Sequence, residues 1–190
     1  MNIDDVEIED GELTIESVFA KQHELMKVYR EIEGRHFPLD LDTREGQAVV
    51  KDFLWRITEE VGEALDSSLG ASHVKEEMAD AMHFLVELCI FTDREEVGKD
   101  AFVSNELPLG RTNEKTLWVK LANVGRVCKN KPWKQTQIPL DQQAFTAALT
   151  ELIWEFMEYC GQKGFQNATE LYFYYHKKAV VNEFRQRSKY

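Results

Sequence analysis

Apolar residues recur along this chain at three- and four-residue spacing, and no stretch alternates apolar with polar positions as a strand would. The pattern predicts an all-α fold. A first helix begins at Thr14 or Ser17 and runs to about Glu33, with Val18, Phe19, Leu25, Met26, Tyr29 and Ile32 on its apolar side. Gly34 ends it, and Phe37-Pro38-Leu39 reads as a connection. Further helices are expected from about Thr43 to Leu69, Ser72 to Asp93, Glu114 to Cys128, Asp141 to Cys160, and Ala168 to the end. Asp141 suits an N-cap. Residues 94–114, with Gly98, Pro108 and Gly110, read as the main loop, and Lys129 to Pro139 as a second one. The acidic residues 1–12 are expected to fray.

The pattern also repeats. Leu54-Trp55 and Val61-Gly62 return at one constant offset as Leu117-Trp118 and Val124-Gly125, and Glu87-Leu88-Cys89 is echoed by Glu158-Tyr159-Cys160. Amphipathic helix pairs can resemble one another by composition alone. Read as a duplication, the repeat predicts a four-helix-bundle core built from two pseudo-repeated helix pairs, with N- and C-terminal helices added. Trp55 and Trp118 are expected in the core, and Trp154 at a bundle or subunit interface.

The first pair carries acids that the second lacks. Glu59-Glu60-Val61-Gly62-Glu63 and Glu76-Glu77-Met78-Ala79-Asp80 each place carboxylates three residues apart, on one helix face. One such pair is usually a solvated surface. Two within one helical hairpin are harder to dismiss, because the second helix is apolar nearly all round from Met78 to Phe91. Glu77 and Asp80 share a side with Phe84 and Phe91, which fits a polar pocket inside a bundle better than a wet stripe. Converging carboxylates raise one another's pKa unless a cation lies among them, and hard divalent ions prefer oxygen ligands. Glu60, Glu63, Glu77 and Asp80 are therefore the expected Mg²⁺ ligands. In the second pair Asn123, Arg126 and Ala148 stand where the first has Glu60, Glu63 and Glu77, and only Glu151 keeps the acid of Asp80.

The totals set bounds. At 190 residues the chain has the length of one domain, and 43% hydrophobic with 30% charged residues is ordinary for a globular protein. A net charge of −11 argues against a nucleic-acid backbone binder. No segment has the apolar length of a membrane span, and the N-terminus is acidic, unlike a signal peptide. Cys89, Cys128 and Cys160, without CxxC spacing, suggest reduced thiols in a cytoplasmic protein. Near the end, Lys178, Asn182 and Arg185 share one helix face. They suit phosphate oxygens, or simply the negative end of the helix dipole.

These motifs resemble a known group. Glu60-Val61-Gly62-Glu63 followed by Glu77-Met78-Ala79-Asp80 is similar to the paired acids of the all-α nucleoside triphosphate pyrophosphohydrolases, the MazG-like superfamily. Asp80-Ala81-Met82-His83-Phe84 and the run Tyr175-x-x-Lys178-x-x-x-Asn182-x-x-Arg185-Gln186 resemble the dimeric dUTPase and phage dCTPase-dUTPase branch. The resemblance, from about Gln22 to Tyr190, implies a homodimer that hydrolyses dUTP or dCTP to the monophosphate and pyrophosphate, in a bacterial or phage-infected cytoplasm. It implies two or three Mg²⁺ ions, replaceable by Mn²⁺, on Glu60, Glu63, Glu77 and Asp80. Glu60 would orient or deprotonate the attacking water, with Glu59 as its rival. Lys178 and Arg185 would stabilise pyrophosphate, Tyr175 and Asn182 would touch sugar or phosphate, Phe84 would stack on the base and Gln22 would read it. His83 reads as a supporting or core histidine.

The sequence also departs from that pattern. Met26 stands where the family has asparagine, and Asp66-Ser67-Ser68-Leu69-Gly70 replaces a Trp-Lys-x-Trp-Lys segment that Trp133-Lys134 could supply from another direction. Ala179 follows Lys178 where the family has asparagine, and the chain ends on Lys189-Tyr190. Altered base contacts leave room for a MazG-like housecleaning enzyme of broad or purine specificity, or for a non-catalytic helical bundle that binds nucleotide or a protein partner.

Overall fold

The computed structural model describes residues 3–8, 13–33, 37–66, 70–102, 106–108, 110–131 and 133–187. Its helices are α1 (Ile15–Glu33), α2 (Arg44–Glu63), α3 (Ala71–Phe91), α4 (Glu95–Phe102), α5 (Glu114–Val127), α6 (Gln142–Gln162) and α7 (Ala168–Arg187), after a short 3₁₀ turn at Ile3–Asp5. No strand occurs among the described residues. The expected terminator Gly34, residues 67–69, the last residues 188–190 and the side chains of Tyr29 and Ile32 lie outside them.

Local chemistry sets the helix starts. Thr43, Asn113 and Asp141 each accept a bond from a backbone N–H three residues on, at 3.0, 3.1 and 3.0 Å, satisfying donors that a helix start leaves unpaired. Thr14 and Ser17 exchange backbone-to-hydroxyl bonds of 3.2 Å across the start of α1. Gly70, with φ +91°, precedes α3 in a conformation that a side chain would strain.

Two antiparallel hairpins, α2–α3 and α5–α6, form the bundle, with α2 against α5. Helix α7 lies along α3, and α1 packs on both, which explains why α3 is apolar on nearly every side. Met78, Met82, Leu85 and Leu88 are fully buried there, each worth about 1.5–3 kcal/mol relative to exposure. The pseudo-repeat holds at the level of burial. Leu54 and Leu117 are both buried, Val61 and Val124 are both buried, and Trp55 and Trp118 are both outside.

That last pairing corrects the sequence reading. Trp55 is 62% exposed and Trp118 41%, and they border one groove between α2 and α5 rather than the core. Trp154 is 57% exposed, so it does not pack inside the bundle. The expected loop at 94–114 contains α4, because Gly98 is a packing residue and not a breaker. A Cβ there would meet Phe19 Cζ at 2.8 Å and Cys89 Sγ at 2.9 Å. Helix α2 stops at Glu63, short of Leu69. The N-terminus is not wholly frayed either: Ile3 and Val6 are buried against Val181 of α7. The three cysteines are free and buried, as expected.

Candidate functional site

The two acid-bearing helices meet as their spacing demands. Ligand oxygens of Glu60, Glu77 and Asp80 all lie within 4.8 Å of one another. Glu60 is half-buried, whereas its neighbour Glu59 is exposed. Glu63, one turn further along α2, is exposed and outside this group of three. Its charge still reaches Glu60. Burial, then the charges of Asp80, Glu77 and Glu63 with a bond from Glu77, push the Glu60 carboxyl up to about 8. Burial also lifts Asp80 to about 6, although Lys178 pulls the other way.

Such a cluster holds a surplus proton at neutral pH, and a divalent cation would displace it. The donors are hard oxygens converging at ligand distance, so the set fits Mg²⁺ or a similar ion. Two basic groups touch its rim: Lys178 Nζ is 2.6 Å from Asp80 Oδ2, and His73 Nδ1 is 3.2 Å from Glu77 Oε1.

The cluster forms one end of a cavity of about 280 Å³. Glu60, Asp80, Asn182 and Arg185 line it, and so do Gln22, Leu25, Phe53, Arg56, His83, Phe84 and Glu87. On α3 the lining residues Asp80, His83, Phe84 and Glu87 follow helical spacing, so the cavity runs along one face for about 10 Å, seven residues of rise. Phe53 meets Phe84 edge to face at 6.0 Å, and the Arg56 guanidinium lies 5.3 and 5.6 Å from the two ring centres. Arg56 also bonds Asp52 at 3.1 Å.

Behind the cavity is a buried polar cluster. Gln22 is 2% exposed. Its Oε1 accepts from the Tyr175 hydroxyl at 2.6 Å and faces His83 Nδ1 at 3.0 Å, while its Nε2 donates to Glu87 Oε2 at 3.3 Å. The His83 ring stacks on Tyr175 at 3.8 Å, and its Nε2 is 3.1 Å from the Tyr175 carbonyl oxygen. Burial drives the His83 pKa down to about 3, so the ring is neutral and has one N–H. An N–H on Nε2 donates to the Tyr175 carbonyl oxygen.

The sequence-derived residues thus fall into three positions. Glu60, Glu77, Asp80 and Lys178 gather at the acidic end, the charge of Arg185 reaches Asp80, and Asn182 lines the same cavity. Gln22 and Phe84 line the other end. Tyr175 is fully buried behind it, bonded to Gln22, and does not line the cavity. Met26 lies in the core. Trp133-Lys134 does not reach the site within this chain, because Arg44 at the start of α2 holds the Lys134 carbonyl, about 24 Å of helix rise from Glu60. Phe53, Arg56 and Glu87 were not singled out from sequence. Arg56 and Phe53 precede Glu60 by four and seven residues, and Glu87 follows Asp80 by seven, so extending each acid stripe along its own face would have reached them.

A helical bundle with a cation-competent acid cluster at one end of an aromatic-walled cleft has the construction of an all-α hydrolase for phosphorylated small molecules. A family model described as dUTPase matches residues 57–190. The chain belongs to that family, nucleoside triphosphate pyrophosphatases of nucleotide metabolism, and its all-helical fold fits the all-α dUTPase-like branch. No curated protein and no solved structure matches it. No described helix is long and apolar enough to cross a membrane.

Proposed function

We propose that the chain hydrolyses dUTP or dCTP to the monophosphate and pyrophosphate with Mg²⁺, in the cavity between α2, α3 and α7. The observation that carries the reading is the placement of the acids Glu60, Glu77 and Asp80 at one end of a cavity whose far end holds Phe53, Phe84 and Gln22. Triphosphate and base need those opposite surroundings.

Glu60, Glu77 and Asp80 would hold the ion, with Glu63 joining as an outer ligand. When bound, Mg²⁺ neutralises phosphate charge, polarises the α-phosphate and makes a coordinated water more acidic. Glu60, the half-buried acid on the cavity wall, orients the attacking water and takes its proton. Glu59 is the weaker choice, being exposed and off the cavity wall. The water oxygen attacks the α-phosphorus as the bond to the bridging oxygen breaks, and pyrophosphate leaves with that electron pair. Lys178 and Arg185 meet the charge that collects on it. Asn182 touches sugar or phosphate, Phe84 stacks on the base, and Tyr175 acts through Gln22 by fixing its amide.

A homodimer is part of the proposal, supported by the family resemblance. Pyrophosphate release measured on all four dNTPs and four NTPs, with Mg²⁺ and then with EDTA, tests the activity. Release from dUTP or dCTP that EDTA abolishes is expected. Equal release across all bases would favour the broad-specificity housecleaning reading, and no release with intact nucleotide binding would favour a non-catalytic bundle.

A further inference from the structure

Two of the three converging acids stand on α3, and each faces a basic side chain from a different direction. Lys178 of α7 meets Asp80 Oδ2 at 2.6 Å. His73, one turn before Glu77 on α3 itself, places Nδ1 3.2 Å from Glu77 Oε1. The proposed activity assigns nothing to His73. We infer that His73 is a positioning residue for the ion: it fixes the carboxylate of Glu77 so that the other oxygen is presented to the metal. The inference rests on the metal reading of the acid cluster and deepens it.

A glutamate at this place needs such a partner. The last torsion of its side chain has broad preferences, so a carboxylate held only by its stem turns easily. Glu77 is 8% exposed, which leaves little water to hold it. Its neighbours Glu60 and Asp80 are acceptors like itself once ionised, and cannot orient it. His73 can. An imidazole with its proton on Nδ1 donates to Oε1 whether the ring is neutral or charged, and the carboxylate keeps the lone pairs of Oε2 for a cation. The donor is itself well placed, in the first turn of α3 with its side chain only a quarter exposed. Ligand and donor therefore share one helix, and their spacing does not depend on how α2 or α7 packs.

The test is the affinity of the nucleotide-free chain for Mn²⁺, an ion that shares the preference of Mg²⁺ for carboxylate oxygen. The paramagnetic resonance signal of the free ion follows binding at pH 8. Wild type, His73→Ala and His73→Asn are compared, with urea midpoints in EDTA to show that each chain is folded. His73→Ala should bind Mn²⁺ about tenfold or more weakly. His73→Asn keeps an N–H near the position of Nδ1 and should recover most of that affinity. His73→Leu, which has bulk and no donor, replaces the alanine variant if that one does not fold. Affinity kept by the donorless variant, or lost as fully in His73→Asn, would overturn this inference alone. A folded wild-type chain that binds no Mn²⁺ would overturn the metal site, and this inference with it.

Discussion

Buried Lys178 of α7 and partly buried Asp80 of α3 form an ion pair, Nζ to Oδ2 at 2.6 Å, inside the acid cluster expected to bind a cation. The lysine balances charge that the metal-free cluster cannot bear alone, and it stands beside the position where leaving-group charge would collect. Lys178→Met should therefore act twice. Without metal it leaves Asp80 partly buried and without its lysine, which is expected to cost about 1–3 kcal/mol in urea unfolding at pH 8. With Mg²⁺ that cost should shrink while kcat falls by about 10²-fold or more. An unchanged kcat would remove Lys178 from the site.

The raised carboxyls make a pH prediction with a definite sign. Glu60 titrates near 8 in the folded chain and near its ordinary 4.5 when unfolded; for Asp80 the values are about 6 and 3.8. Between those limits the folded state binds more protons than the unfolded one. Stability of EDTA-treated protein should therefore be greatest at the acid side of this window and fall as pH rises through it to about 8. Partial exposure of Glu60 screens the effect to roughly 1–3 kcal/mol. Urea midpoints from pH 5 to 8.5 check it. Glu60→Gln should flatten the slope, and saturating Mg²⁺ should remove most of it.

Tyr175 offers a test of positioning. Its buried hydroxyl holds Gln22 Oε1 at 2.6 Å, and the residue does not line the cavity. Tyr175→Phe should cost about 1 kcal/mol of stability. Steady-state kinetics should show KM for the preferred dNTP raised several-fold and kcat retained, because the acid cluster is untouched. A fall confined to kcat would place Tyr175 at the reacting phosphate.

Gly98 isolates packing from chemistry. Gly98→Ala puts a methyl within 2.8 Å of Phe19 Cζ and 2.9 Å of Cys89 Sγ. Overpacking of this kind costs about 1–3 kcal/mol. Thermal unfolding should show the loss, with pyrophosphate release per folded molecule unchanged.

Position 98 also marks where sequence reading fails. Glycine reads as a loop signal, yet here its missing side chain lets α4 approach α1 and α3, a fact that exists only in three dimensions. The tryptophans misled for a related reason: Trp55 and Trp118 occupy equivalent places in the two hairpins, on faces that the bundle leaves outside. The acid cluster was legible because i,i+3 spacing survives any rotation of the two helices about each other. At the other end only Gln22 and Phe84 were reached, through the family resemblance; Phe53 and Glu87 were not, since they come from two helices whose packing no single periodicity encodes. The Leu54/Leu117 and Val61/Val124 pairs are buried alike, as the repeat in the sequence requires.

The central claim is that Glu60, Glu77 and Asp80 jointly hold the ion on which hydrolysis depends. Mg²⁺-dependent pyrophosphate release by wild type and by Glu77→Gln, whose fold is verified by circular dichroism, addresses it most directly. The account predicts a loss of about 10³-fold or more in Glu77→Gln and no release by either protein in EDTA. Release by Glu77→Gln near the wild-type rate, or release that persists in EDTA, would contradict it.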